Sequence, residues 1–124
     1  MPVIHSEEAV VFEAHGARFV SYASSTTGSK ELRLWRTELP DVGAGVPHRV
    51  SREETFAVIE GRIRITLEAE PHTLTAGDVA LVPAGALLHL ENLGPGPASM
   101  WVSTSPGLEA ELADGTVLSP PWAA

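Results

Sequence analysis

The chain of 124 residues is long enough for one domain, and a chain of this size buries roughly two thirds of the surface its unfolded form exposes. Its 8 Lys and Arg against 16 Asp and Glu give a formal charge of -8, which repels phosphate backbones and anionic lipid surfaces and argues against nucleic-acid and membrane partners. The absence of cysteine excludes disulfides, thiolate metal sites and cysteine nucleophiles. A reducing compartment, the cytoplasm, is the expected location.

The N-terminal stretch MPVIHSEEAV lacks the basic start and apolar run of a signal peptide. Glycine and proline then cut the sequence into short segments, several of which alternate apolar with polar residues at the strand period of two. Strands are predicted at Val10 to Glu13, Arg18 to Tyr22 and Leu32 to Glu38, with a polar loop at Ser24 to Ser29. The clearest run is Arg62 to Leu67, where Ile63, Ile65 and Leu67 share one face and Arg62, Arg64 and Thr66 the other. A turn is expected around Glu70 to His72. Further strands follow at Val79 to Val82, Leu87 to Leu93 and Ser99 to Ser103, with a turn at Gly94 to Pro97. A helical turn at Leu108 to Ala113 is the single exception, soon closed by Gly115 and Pro120-Pro121. Many short strands with frequent turns and almost no helix predict an all-β sandwich or barrel, without linker or internal repeat.

The segments GVPHRVSREETFAVIEG, from Gly45 to Gly61, and GDVALVPAGALLHLEN, from Gly77 to Asn92, carry the most specific spacing in the chain. Together they resemble the two signature motifs of the cupin superfamily, over the central half of the sequence. His48, Glu54 and Gly61 match the first motif, and Gly77, Pro83, Gly85 and Asn92 match the second. The resemblance implies one cupin domain over residues 1–124, a jelly-roll β-barrel or double-stranded β-helix. It also implies a cavity in which three His and one Glu hold a divalent transition metal. Here Val50 stands in place of the second His of the first motif and Leu88 in place of the His of the second.

His89 lies one residue beyond the ligand position, and neighbouring side chains on a strand point to opposite faces, so His89 is expected to face outward with Leu87 and Glu91. A β-bulge would bring it back inward. The same phase puts His48, Val50, Glu54, Phe56 and Val58 inside. Two ligands of four make a poor site, so no cofactor is expected; the alternative is a weakly bound divalent transition metal on His48, Glu54 and a bulged His89.

His48 and Glu54, both facing inward, are natural hydrogen-bond partners, since a carboxylate that accepts from imidazole fixes its tautomer and raises its basicity. They are the candidate catalytic pair. Val50, Phe56, Leu88, Trp35 and Trp101 are the candidate ligand-pocket residues. Trp122 and Tyr22 are assigned to core or interface packing, and His5, His15 and His72 to solvent. Arg36 and Arg52 fit an anion anchor and an exposed position equally well. Gly61, Gly77 and Gly85 are assigned to turns.

A cavity part polar and part apolar suits a ligand with a hydrophobic body and one or two oxygen functions, such as a polyketide-like or aromatic compound. Three functions compete: an acid–base enzyme of isomerase, dehydratase or cyclase type, a non-catalytic ligand-binding cupin, and a metal-dependent, dioxygenase-like cupin. Small cupins often dimerise through N-terminal strands, so a homodimer is expected.

Overall fold

Short alternating runs leave each strand with one apolar face, and two sheets laid face to face bury those faces together. The computed structural model describes residues 3–124. In chain order the strands are β1 (Val10–Ala14), β2 (Ala17–Ala23), β3 (Arg33–Leu39), β4 (Gly43–Ala44), β5 (His48–Val50), β6 (Glu54–Glu60), β7 (Ile63–Leu67), β8 (Glu70–Leu74), β9 (Val79–Val82), β10 (Leu87–Asn92), β11 (Ala98–Thr104), β12 (Ala110–Leu112) and β13 (Val117–Leu118). One sheet has the order β1-β2-β3-β11-β6-β9; the other has β13-β12-β5-β10-β7-β8, with β4 on the flank of β10. From β5 onward the chain crosses between the sheets at every connection except the hairpins β7-β8 and β12-β13. This is the jelly roll that the motifs imply.

The inner faces meet in a core built around Ile63, Ile65, Val82, Leu88, Met100 and Val102, none of which is exposed to solvent. Burial alternates along β6 and β7 as the sequence pattern requires. Gly61, between β6 and β7, is fixed by sterics: its φ is +86°, and a Cβ there would lie 2.6 Å from that of Ala98.

Two expectations are corrected. Glu70 to His72 belongs to β8, and the turn falls at Glu68 and Ala69, both with positive φ. As an edge strand β8 is exposed along almost its whole length, so it has no alternation to read, and Pro71 is tolerated there. The stretch Leu108 to Ala113 holds strand β12 rather than a helical turn, because its backbone pairs with β5 through Ala110↔Val50 and Leu112↔His48. Tertiary pairing overrides a marginal local preference there. Among the described residues no helix is long and apolar enough to cross a membrane.

Candidate functional site

The site is assembled by the crossing between β5 and β6. His48 and Val50 lie two apart on β5 and share its inward face, while Glu54, Phe56 and Val58 alternate along β6 in the opposite sheet. Residues 51–53 carry the chain from one sheet to the other. His48 and Glu54 therefore stand on different walls of a cavity of about 630 Å³ that both line, within the usual size range for small-molecule sites.

Glu54 is 4% exposed. Its Oε1 has no hydrogen-bond partner. With nothing to compensate its removal from water, burial pushes its carboxyl up to about 8. Burial thus favours the uncharged acid over the carboxylate near neutral pH. His48 is fixed differently. Its Nδ1 lies 2.9 Å from the carbonyl oxygen of Val46; a carbonyl only accepts, so Nδ1 carries the hydrogen and the Nε2 lone pair is left as an acceptor.

The expected His48–Glu54 hydrogen bond is not formed; the imidazole is oriented by Val46, and the carboxyl of Glu54, a lining residue, has no protein partner. The two residues sit on strands of opposite sheets, and the Nδ1 of His48 is already engaged with Val46.

Of the expected pocket residues, Trp35, Val50 and Phe56 line the cavity. The indole N–H of Trp35 donates to Thr37 Oγ1 at 3.1 Å, which leaves the ring face as its contribution to the wall. Leu88 faces inward but is closed off in the core, with no exposed surface. Trp101 is a correction: Val102, its neighbour, pairs with Trp35 on the inner face, which sends Trp101 to the outside of the same sheet. There its ring lies 5.3 Å from that of Tyr22 and 5.5 Å from the Arg36 guanidinium carbon, which a bond to Glu38 also holds.

Trp122 packs as expected and also reaches the cavity. The C-terminal turn Pro121–Ala123 lays its ring flat on Phe19, with centroids 3.7 Å apart, at the edge of the cavity. Ser21 Oγ donates to the Trp122 carbonyl at 3.2 Å and the Ser25 N–H to that of Ala124. Phe12 and Phe19, cross-strand partners on β1 and β2, complete this side. In ARFVSYA the apolar residues Phe19, Val20 and Tyr22 fall on both faces, so the local pattern does not single out Phe19, and nothing local brings the Pro-Pro-Trp segment to the barrel mouth.

Asn92 has a role in the site that its motif position did not disclose. Its buried amide donates to the carbonyls of Leu39 and Asp41, each at 3.1 Å, and of Gly96 at 3.2 Å, while its Oδ1 accepts from the Gly94 N–H. Those contacts tie down the start of the 41–46 loop, which forms part of the cavity rim.

The donor set does not fit the family's usual metal. His48 and Glu54 are the two ligand positions kept, Val50 offers no donor, and Leu88 is sealed in the core. His89 faces outward opposite Thr66 on β7, and its Nε2 lies 2.9 Å from the Gly45 carbonyl oxygen. Among the described residues no group of three or more His, Asp or Glu is placed to hold an ion.

A jelly roll with a cavity between its sheets and these two motifs on its walls defines a cupin domain. The chain belongs to that family, whose Cupin domain model matches residues 35–104. Its fold is similar to that of the polyketide cyclase RemF from Streptomyces resistomycificus, with a TM-score of 0.75 and 15% identity, covering 87% of this chain and 83% of that one. A similar likeness extends to an RmlC-like cupin from Shewanella frigidimarina, with a TM-score of 0.72 and 18% identity, over 84% of this chain and 89% of that one. Among curated proteins, the endoribonuclease YbeY of Myxococcus xanthus is 30% identical over 95 residues, 77% of this chain. The chain spans about a third of that relative's length, 32%.

Proposed function

We propose that this cupin is an enzyme of small-molecule metabolism that moves a proton on a carbonyl compound held in the cavity, with His48 as base and Glu54 as acid. The observation that carries the reading is the buried, unpartnered carboxyl of Glu54, facing across the cavity from an imidazole whose Nδ1 is already held. Two titratable groups in such different surroundings divide the acid and base roles between them.

The protonated Glu54 donates to the substrate carbonyl oxygen, and His48 Nε2 removes a proton from the carbon next to it. The C–H electron pair becomes the C=C bond of an enol as the oxygen takes the Glu54 proton. Returning a proton elsewhere gives an isomer; expulsion of a neighbouring hydroxyl as water gives dehydration; attack of the enol carbon on a second carbonyl closes a ring. Mainly apolar walls keep competing water away and strengthen the hydrogen bond to oxygen.

Deuterium uptake at the carbon beside the carbonyl of α-tetralone, in heavy water, tests this. The native protein is expected to exceed buffer, and His48→Ala and Glu54→Gln, with intact circular dichroism, to lose about 100-fold of that excess. Equal exchange by the native protein and both variants overturns the reading.

A further inference from the structure

We infer that the ligand of this cavity is a flat, uncharged aromatic ketone, held against ring faces with its carbonyl oxygen on Glu54. The inference rests on the cavity reading above and narrows it to a substrate class.

Aromatic side chains are scarce in this protein and are not scattered. The sequence holds 3 Trp, 1 Tyr and 3 Phe; all three Phe, together with Trp35 and Trp122, line this one cavity. Trp35 and Phe56 sit deep, at 3% and 5% exposure. Phe12, Phe19 and Trp122 are half-buried; Phe19 and Trp122 pack against the core and stack on each other, and all three keep some surface at the cavity. Rings that face a cavity favour another ring, through offset or edge-to-face contact beyond simple area burial. An aliphatic ligand of equal volume gains the area term alone.

Polar groups select the ligand's other end. The Trp35 N–H is taken by Thr37, so among the polar side chains deep in the lining it is the Glu54 carboxyl that has no protein partner. A protonated carboxyl in apolar surroundings calls for an oxygen acceptor. No Lys or Arg lines the cavity, and beside His15 the carboxylates of Glu13 and Asp41 are exposed at its rim, so an anion meets no permanent counter-charge on the way in. A cation would find ring faces and these rim carboxylates, yet would have to shed water into walls that are mainly apolar.

Equilibrium dialysis with four probes at pH 6.5 tests the inference. Fluorenone is a flat aromatic ketone, fluorene has the same skeleton without the oxygen, cyclododecanone is an aliphatic ketone, and trimethylphenylammonium is an aromatic cation. Fluorenone is expected to bind about tenfold or more tighter than each of the others. Trp122→Leu and Phe19→Leu, at a temperature where each remains folded with cooperative melting, are expected to weaken fluorenone severalfold and cyclododecanone hardly at all. Trp122 lies in the C-terminal turn, so its variant remains informative if Phe19→Leu fails to fold. Cyclododecanone or the cation binding as tightly as fluorenone, or no binding by any probe, overturns the inference. Fluorenone has no hydrogen beside its carbonyl and cannot be enolised, so its binding is independent of proton transfer. Loss of aromatic preference with α-tetralone exchange intact refutes the substrate class alone; fluorenone binding without exchange refutes the enzymatic reading alone.

Discussion

Replacing Glu54 by Gln keeps the side chain's shape and removes its titration. In the folded protein the carboxyl is raised from an ordinary value near 4.5 to about 8 by burial. Below the lower value both folded and unfolded chains are protonated there, and the group adds no pH dependence. Between the two values the unfolded chain has released the proton that the folded chain keeps. Stability therefore falls as pH rises, by about 1.4 kcal/mol for each unit, and levels off above the folded value. Over the interval from pH 5 to pH 7 this amounts to roughly 2 to 3 kcal/mol. Urea unfolding of the native protein and of Glu54→Gln at pH 5, 6 and 7 isolates the effect, because every other group contributes the same slope to both. The native protein is expected to lose that much more stability than the variant across the interval. Parallel stability curves would mean that Glu54 is ionised or hydrated in the folded state, and the acid role would fail with them.

Further outcomes follow from the same contacts. Trp122→Ala is expected to cost about 2 kcal/mol, through the lost ring stack on Phe19, and, in a Trp101→Phe background, to make Trp35 emission easier to quench with acrylamide. Asn92→Ala, which strips the carbonyls of Leu39, Asp41 and Gly96 of their donor, is expected to cost about 2 to 3 kcal/mol in urea unfolding. Trp101→Phe alone, on the outer sheet face, is expected to leave fluorenone binding unchanged in dialysis. Elemental analysis of the purified protein is expected to find transition metal well below one equivalent, and Val50→His, which adds an imidazole to the wall, to gain cobalt(II) absorption bands. Near-stoichiometric metal on the native protein would refute the donor-set argument.

The barrel was legible because its rule is local: Ile63, Ile65 and Leu67 alternate, and glycine at the bend before Ile63 is demanded by backbone and neighbour alike. The direction of His89 was legible for the same reason, since a strand without a bulge leaves no freedom of phase. The relation of His48 to Glu54 was not. A shared inward phase suggested partnership, whereas a crossing of only residues 51–53 sets them on opposite walls. Trp101 was misassigned to the pocket, and Trp122, assigned to packing, packs as expected but also reaches the cavity. The inner face of β11 is chosen by pairing with β3, and the place of the C-terminal turn by contacts to Phe19 and Ser21 far away in sequence. Alternation within a segment reports neither.

The central claim is that Glu54 is an uncharged acid facing the cavity. An infrared difference spectrum between the native protein and Glu54→Gln at pH 7 tests it most directly. A protonated carboxylic C=O band present in the native protein and absent from the variant is the predicted result. A carboxylate doublet in its place would contradict the account.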